Sequence, residues 1–248
     1  MDVGQGDSAL VECDGHYMLI DGGSKGAGDK VYDVLQEKGI QHLDILAFSH
    51  THEDHVGGLP KVLTYATQID RVLGNTALSP TNDSAFIAFE NALLGINARI
   101  TIPVIGERYK LGSASIEVVD VASDKENDCL VLLATYGKTR FLFTGDIEDE
   151  GQTRLSEKYH DNFKIDLMKI PHHGAYTGTL YRLFRTFRPD NVVISVGNKN
   201  RYGHPAEKTL NLFSNDKQDW KPKVYRTDED GDIIVKSNGK ELFIQTSK

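Results

Sequence analysis

Three histidines and an aspartate fall within six consecutive positions of the chain, directly after a short apolar run. His50, His52, Asp54 and His55 have the spacing H-x-H-x-D-H, and the run from Ile45 to Phe48 predicts a buried strand that ends just before them. Imidazole and carboxylate groups without thiolates suit Zn, Mn or Fe. The stretch therefore predicts a metal site, with room for two adjacent cations if the chain turns into a helix just beyond it.

Three later apolar runs also end in possible metal ligands. They lead to Asp146, to the pair His172 and His173, and to His204. Asp146 could bridge two cations with its two oxygens, although it has a second interpretation as the cap of a helix that starts at Glu148. One histidine of the pair is expected to bind metal, and His173 is taken for that role. Four strand ends thus supply ligands of one chemical class, which favours hydrolysis over a purely structural metal.

The composition of the chain limits the class of protein. Of its 248 residues, 39% are hydrophobic and 26% are charged, as in ordinary globular proteins, and we expect one domain over residues 1–248. No apolar run approaches the roughly 18 residues that span a bilayer, so no membrane span is expected. The formal net charge of −8 argues against a broadly basic, non-specific nucleic-acid binder. No feature of the sequence indicates a protein partner.

The two cysteines, Cys13 and Cys129, lie far apart in the sequence. They predict neither a zinc ribbon nor a disulfide framework. The start of the chain also lacks the basic and apolar regions of a secretion signal.

The stretch from Phe163 to His204 is positively charged although the whole chain is acidic. It contains seven lysines and arginines against two aspartates. Because the same stretch carries the later histidines, it predicts an anionic substrate beside the metal ions. The candidate substrate-binding residues are Lys199, Arg201 and Thr177.

Periodicity and turn residues predict an alternation of strands and helices. Asp14-Gly15 between two apolar runs predicts a hairpin. A second sheet is expected from Ile100 onward, and the last three strands are expected to form hairpins. The expected strands cover residues 8–21 (as two strands), 45–48, 69–73, 100–103, 114–121, 128–134, 140–144, 165–170, 191–196, 223–226, 232–236 and 241–245. The expected helices cover residues 29–38, 59–67, 85–94 (capped by Ser84), 148–159 and 179–187.

In combination these motifs resemble the metallo-β-lactamase superfamily. The residues that carry the resemblance are the H-x-H-x-D-H segment, Ile20-Asp21-Gly22-Gly23, Phe143-Thr144-Gly145-Asp146 and the later loop with His204. Asp2-Val-Gly-Gln-Gly-Asp7, Asn127-Asp-Cys, Pro171-His-His-Gly and Asn200-Arg-Tyr-Gly-His-Pro are similar to the hydrolase domain of ComEC-type competence proteins and its free-standing relatives. The resemblance covers residues 2 to about 244.

The resemblance implies an α+β four-layer αββα sandwich, in which two mixed β-sheets are flanked by helices and a dinuclear site lies at one edge. It implies two divalent metal ions, Zn or Mn with Fe as a further option. The implied ligands are His50, His52, Asp54, His55, Asp146 and one histidine of the 172–173 pair. Asp21, Asp7 and Asn127 are expected to orient those ligands.

The chain departs from the family pattern at three points. No histidine occurs from residue 56 to 145, where the superfamily has a separate ligand. One metal ion therefore has fewer protein ligands, or His172, His173 or Asn127 completes its shell. Cys129 and Ala175 stand where a serine is expected, which affects substrate contacts at these positions but not the metal site.

The expected reaction is hydrolysis of a phosphate ester by a metal-bridged hydroxide. Asp54 is expected to be essential, and His172 or His204 is expected to protonate the leaving oxygen or to grip the phosphate. Single-stranded DNA or a nucleotide is the favoured substrate. Two alternatives stay open: a metallohydrolase of another ester, such as a choline phosphodiester, lactone or thioester, and a metal-stabilised binding domain without activity.

The sequence leaves the compartment open. We expect a cytoplasmic protein if the chain is complete. If the chain is part of a membrane competence protein, or has lost a signal peptide, we expect an extracytoplasmic one.

Overall fold

Two large β-sheets pack face to face at the centre of the fold, with helices on both outer faces. The computed structural model describes residues 1–76, 83–121, 129–159, 163–177, 181–214 and 220–248.

The first sheet has five strands. In spatial order these are β1 (Ala9–Cys13), β2 (His16–Ile20), β3 (His42–Ala47), β4 (Gln68–Leu73) and β5 (Ile100–Thr101). Strands β1 and β2 are antiparallel, and the turn between them holds Asp14 and Gly15, both at positive φ as a tight hairpin turn requires. The other neighbours are parallel, so β2, β3 and β4 end at the same edge.

The second sheet has seven strands, β12-β11-β10-β9-β8-β7-β6 in spatial order. Their ranges are β6 (Arg108–Leu111), β7 (Ala114–Val121), β8 (Leu130–Tyr136), β9 (Thr139–Phe143), β10 (Leu167–Lys169), β11 (Asn191–Ile194) and β12 (Lys223–Arg226). The half from β6 to β9 is antiparallel, and the half from β9 to β12 is parallel. A separate hairpin pairs β13 (Ile233–Ser237) with β14 (Leu242–Thr246).

Besides two short 3-10 helices at Lys25–Ala27 and Pro171–Gly174, eight α-helices lie among the described residues. They are α1 (Gly28–Glu37), α2 (Glu53–Val56), α3 (Leu59–Val62), α4 (Ser84–Gly95), α5 (Asp149–Lys158), α6 (Tyr181–Phe187), α7 (Glu207–Ser214) and α8 (Thr227–Asp230). Buried side chains of α1, α3 and α4 pack against the first sheet, and those of α5, α6 and α7 pack against the second. The expected αββα sandwich of two mixed sheets is therefore confirmed. None of the described helices combines the length and the apolar character needed to cross a membrane.

Strand β3 shows why the sequence before the histidines is a continuous apolar run. Ile45 and Ala47 belong to the core between the sheets, whereas Leu46 and Phe48 belong to the core under the helices. A strand that is covered on both faces carries no polar alternation. Burial on both sides fixes the strand, and it provides a rigid base for the residues that follow it.

Several predicted elements differ in the structure. Ile100–Thr101 pairs with β4 in the first sheet, so the second sheet starts only at β6, a strand that the sequence did not predict. Lys223–Arg226 pairs with β11 in parallel and is not a hairpin strand, because its partner is distant in sequence. Helix α4 is capped by the Asp83 carboxylate, which accepts from the amides of Ala85 and Phe86, and not by Ser84. Helices α7 and α8 were not predicted, and α3 ends earlier than expected, at Val62.

Candidate metal centre

The possible ligands lie together at the edge where the parallel strands end. Asp21 follows β2, the H-x-H-x-D-H segment follows β3, Asp146 follows β9 and His173 follows β10. Carboxyl ends of parallel strands meet at one edge of a sheet, and the two sheets face each other here. The topology thereby brings His173 into contact with Asp54, although 119 positions separate them in the sequence.

Four of these side chains form a compact cluster, called here the inner group: Asp54, His55, Asp146 and His173. The Nε2 atoms of His55 and His173 lie 3.3 and 3.4 Å from Asp146 Oδ2. One Asp54 oxygen lies 3.2 Å from His173 Nε2 and the other lies 3.9 Å from His55 Nε2. A tetrahedral Zn²⁺ with bonds of about 2.0–2.1 Å needs ligand atoms about 3.3 Å apart. The spacing of the inner group therefore fits the ligand shell of one metal ion.

Four further histidines lie beside the inner group and are called the outer group: His50, His52, His172 and His204. The His50 ring centroid lies 4.5 Å from that of His52 and 4.1 Å from that of His55. His50, His55 and Asp146 each place a ligand atom within 4.8 Å of the other two. His52 is exposed. A second ion held by His50 and His52 would therefore share Asp146 with the first.

His172 and His204 occupy the other side of the outer group. His172 Nε2 lies 4.0 Å from Asp146 Oδ2, and the His172 side chain is 34% exposed. The His204 ring lies 5.8 Å from the His172 ring and 6.4 Å from the His173 ring, measured between centroids. Of the adjacent pair, His173 is therefore the buried histidine and faces Asp54. His172 is partly exposed and could serve as a ligand of a second metal ion.

Residues behind the inner group fix its imidazoles. Asp21 Oδ2 lies 3.0 Å from His55 Nδ1, and the same carboxylate accepts hydrogen bonds from the amide and the hydroxyl of Ser49. His173 Nδ1 lies 2.9 Å from the carbonyl oxygen of Ser195. Each ring therefore has its Nδ1 occupied and its Nε2 directed at the cluster, as is typical of histidines that bind metal.

The donor atoms meet the chemical requirements of a divalent cation. His50 Nε2 is buried and has no hydrogen-bond partner among the described residues, while its Nδ1 lies 3.1 Å from the Ser49 hydroxyl. A buried imidazole nitrogen without a partner is costly unless something absent from the protein satisfies it. Nitrogen and oxygen donors together suit Zn, Mn or Fe, so the residues present fit the expected pair of metal ions.

Charge keeps the inner group ionised. Burial alone lowers the pKa of His173, but the carboxylates of Asp146, Asp54 and Asp7 outweigh it and raise that pKa to about 10. His55 is buried as well, yet Asp146 and its other acidic neighbours raise its pKa well above the usual value. Burial raises the pKa of Asp54, but the hydrogen bond from His173 and the charge of His55 hold it at about 2. Without metal, cationic imidazoles therefore alternate with carboxylates.

The outer group is electrically different. Burial, followed by repulsion from His55, lowers the pKa of His50 well below its ordinary value. Burial and the neighbouring His172 and His173 also lower the pKa of His204. These two rings are therefore neutral near pH 7 and have a lone pair to offer.

Lys169, the last residue of β10, is a member of the site that the sequence did not identify. Its ammonium is buried and forms ion pairs with Asp7 and with Asp146 Oδ1, at 3.4 Å in the second case. It also donates to the carbonyl of Gly145 at 2.9 Å. Burial lowers the pKa of Lys169, but the two carboxylates raise it above its usual value. The sequence feature that could have identified Lys169 is its position inside an apolar run, between Met168 and Ile170.

The N-terminal loop packs directly on the ligand segment. The amide of Asp7 donates to the carbonyl of Asp54 at 3.1 Å, and a Cβ on Gly6 would collide with that same carbonyl. Only glycine allows this close approach. Asp7 thereby reaches His173, with 3.5 Å between Oδ1 and Nδ1, and its orienting role stays a prediction.

The two adjacent histidines have an unusual backbone. His172 and His173 both adopt left-handed conformations, with φ of 48° and 52°. Such a conformation costs roughly 1–2 kcal/mol for each residue other than glycine. The surrounding structure therefore imposes it, and the result is that the neighbouring rings point to different parts of the site.

The other predicted site residues fall outside the cluster. Lys199, Arg201 and Thr177 are exposed at the surface. Arg201 lies over the Tyr202 ring, at 5.0 Å from its centroid, and that ring stacks on His204 with centroids 5.7 Å apart. Asn127 lies outside the described residues. Cys129 is buried, and its sulfur accepts a hydrogen bond from the Asp146 amide at 3.3 Å.

Most of the basic stretch does not face the site, contrary to the prediction. Lys164 pairs with Asp190 at 2.8 Å, Arg182 lies 3.5 Å from Glu157, and Arg188 covers the Trp220 ring. Lys164 lies before β10, and Arg182 and Arg188 lie on or just after α6, so these cations contact partners away from the cluster. Net charge along the sequence therefore overstated the charge at the centre.

Comparisons with known proteins agree with this architecture. The model of the metallo-beta-lactamase superfamily matches residues 1–197. ComE operon protein 3 of Bacillus subtilis is 29% identical over 259 aligned positions, which cover 94% of this chain but only 32% of that protein. The chain therefore spans about a third of that relative's length.

Two solved structures show the same fold. The metallo-beta-lactamase fold protein YhfI of Bacillus subtilis has a TM-score of 0.58 at 15% identity and covers 90% of this chain and 88% of its own. A diphosphatase of the PhnP family has a TM-score of 0.53 at 17% identity, with coverage of 88% and 80%. The family match, the sandwich and the cluster at its edge agree, and the chain belongs to the metallo-β-lactamase superfamily.

Proposed function

We propose that the chain is a dinuclear-metal-dependent hydrolase that cleaves a phosphate ester, most simply a phosphodiester. The observation that carries the proposal is the junction at Asp146 Oδ2, where the buried inner group meets the more exposed outer group. One metal ion would be held by the inner group. The other would be held by His50 and His52, would share Asp146 and would have His172 in reach.

Two divalent cations, when bound, would activate water at neutral pH and neutralise the charge that develops on a phosphoryl group. The protein's contribution is to hold the ligands in place. Asp21 fixes the His55 ring, the Ser195 carbonyl fixes the His173 ring, and the buried position of Asp146 excludes competing water. Asp54 stands between the two groups and is 31% exposed at its side chain, so its loss would open the centre from the substrate side.

His204 is suited to deliver a proton to the leaving oxygen. Its ring lies between the buried His173 and the exposed Tyr202, and its Nδ1 has no hydrogen-bond partner among the described residues. A bound phosphate would raise the low pKa of His204, because a neighbouring anion favours the charged imidazole. The protonated ring could then act as general acid. His172 is the alternative for this role.

The surface beside the centre favours a nucleotide or single-stranded DNA over other esters. Arg201 and Tyr202 form one cation–aromatic pair next to His204, and Lys208 and Tyr176 form another, with 4.2 Å from the ammonium to the ring centroid. Both tyrosines are exposed, at 54% and 64%. Exposed aromatic rings stack on bases, while cations contact phosphates. One structural neighbour is a diphosphatase, which is consistent with a phosphate substrate.

The test is a substrate panel on protein that has been stripped with a chelator and reloaded with Zn²⁺ or Mn²⁺. The panel contains bis-p-nitrophenyl phosphate, p-nitrophenyl phosphorylcholine, a lactone, a thioester, a β-lactam and a single-stranded oligonucleotide. We expect metal-dependent cleavage of the phosphodiesters and none of the β-lactam. Turnover of the lactone or thioester alone would reassign the substrate. About two bound metals with no turnover of any ester would favour a binding domain.

A further inference from the structure

The Lys169 ammonium lies inside the metal centre, and the proposed reaction gives it no task. Both the backbone and the side chain of Lys169 are anchored: the Lys169 carbonyl accepts from the Thr144 hydroxyl at 2.8 Å, and the ammonium donates to the carbonyl of Gly145. The residue is 8% exposed. A lysine that is held so firmly and buried so deeply is retained only if charged partners compensate its desolvation.

The two oxygens of Asp146 have different partners. Oδ1 faces the Lys169 ammonium, whereas Oδ2 faces His55 and His173. Without metal, one oxygen of Asp146 therefore faces an ammonium and the other faces the two imidazoles.

The charge at the centre needs a permanent cation. Four carboxylates, Asp7, Asp21, Asp54 and Asp146, lie in or directly behind the inner group. Among the described residues, Lys169 is the lysine that places its ammonium against both Asp7 and Asp146.

We propose that Lys169 is an internal counter-cation: a positioning residue that holds Asp7 and Asp146 in the geometry of the metal centre before any metal binds. The ammonium supplies in the metal-free protein part of the positive charge that the metals supply later. The centre is thus preformed, and metal affinity is weaker than the ligands alone would give, because the ammonium repels an incoming cation. The inference rests on the proposed metal centre and not on its substrate.

The test compares Lys169→Met with wild type, each stripped of metal and each loaded with Mn²⁺, in thermal unfolding and in chelator competition. We expect the metal-free variant to lose more stability than the loaded one, so that Mn²⁺ raises its Tm by about 4 °C more than it raises the wild-type Tm. By the same linkage, Mn²⁺ should bind the variant about tenfold more tightly. Lys164→Met, a substitution of an exposed lysine, should change neither quantity.

The double variant Asp7→Asn/Lys169→Met removes one charge of each sign and separates charge from packing. It should return the metal-induced Tm shift to that of wild type, and it should fold even if the single variant does not. Equal stability losses in the metal-free and loaded single variant would mean a purely structural lysine and would overturn the proposal, as would a double variant that does not fold when loaded. Wild-type protein that shows no Mn²⁺-induced shift would instead refute the metal centre itself.

Discussion

The inner and outer groups use the same residue types but differ in how the protein holds them. In the inner group, His55 and His173 are almost fully buried, at 0% and 1% exposure, and each has an orienting partner on Nδ1. In the outer group, His50 is also buried and has the Ser49 hydroxyl beside its Nδ1, whereas His52 is exposed and His172 is half-buried. A buried, oriented ligand keeps its geometry whether or not substrate is present. A more open side chain can adjust to the substrate, so the inner group should set the affinity for the first metal ion, and His172 and His204 should act mainly in turnover.

The largest effect should come from the most exposed member of the inner group, Asp54. Asp54→Ala removes an inner ligand on the side that faces the substrate, and we expect kcat/KM for a phosphodiester to fall roughly a thousandfold, at the upper end for one charge-stabilising group. Inductively coupled plasma mass spectrometry should show at least one metal lost. The matched control is Glu53→Ala on the same turn, whose carboxylate caps the Lys25 amide at 2.7 Å. Equal activity in the two variants would contradict the assignment.

His204, unlike His50 and His52, should affect the chemical step more than it affects metal binding. His204→Gln removes the proposed general acid, and such a group contributes about 100-fold or more. We expect that loss in kcat for a diester with an alkoxide leaving group, and a much smaller loss for p-nitrophenolate, which needs no proton. Metal content should stay at the wild-type value. A loss of equal size for both leaving groups would remove His204 from this role.

The residues that orient the inner group should contribute less to metal affinity than the ligands themselves. Asp21→Asn weakens the hold on the His55 ring, and residues in this role typically change metal affinity by about 10–100-fold. We expect a loss of that size in chelator competition. The control is Asp44→Asn, because Asp44 binds His16 at 2.6 Å outside the centre. If both substitutions act alike, the orienting role of Asp21 is wrong.

The pH dependence of metal binding tests the inner group without any substitution. The folded-state pKa of His173 is raised to about 10 and that of His55 is raised as well, so both rings carry protons near neutral pH. Metal ions must displace those protons, and affinity should rise about tenfold per pH unit for each proton released. Affinity measured from pH 6.5 to 8.5 tests this sign, and a flat profile would contradict it.

The same pKa shift sets the pH dependence of the metal-free fold. Because the folded-state pKa of His173 lies above its unfolded value, its contribution to stability is complete below about pH 6.5 and is lost as the pH rises towards 10. The free energy of unfolding of the metal-free protein should therefore fall over the same pH range in which metal affinity rises.

The fold and the inner group were largely predictable because strand ends and ligand motifs leave strong local signals. The apolar run before His50 and the Gly145-Asp146 pair after β9 each predicted a segment of the site directly. Pairings between distant segments carry no such signal, which is why β5 was expected in the wrong sheet and β12 in a hairpin. The choice between His172 and His173 depends on left-handed backbone that only the three-dimensional structure reveals.

The residues that the sequence placed wrongly are all charged. The number of charges along a segment does not show where those charges lie in the folded protein. Lys164 and Arg182 counted towards a basic patch, yet they pair with Asp190 and Glu157 at the surface. Lys169 was one charge among seven, yet it is the one of them that contacts Asp7 and Asp146. Lys169 differs from the other six cations because it lies inside an apolar run of the sequence, between Met168 and Ile170.

The most direct test of the central claim is a crystal structure of Mn²⁺-loaded protein with anomalous diffraction measured at the manganese edge. The account predicts two anomalous peaks on either side of Asp146 Oδ2, one among Asp54, His55 and His173 and one beside His50 and His52. The absence of any peak among the inner residues, at full Mn²⁺ loading, would contradict it.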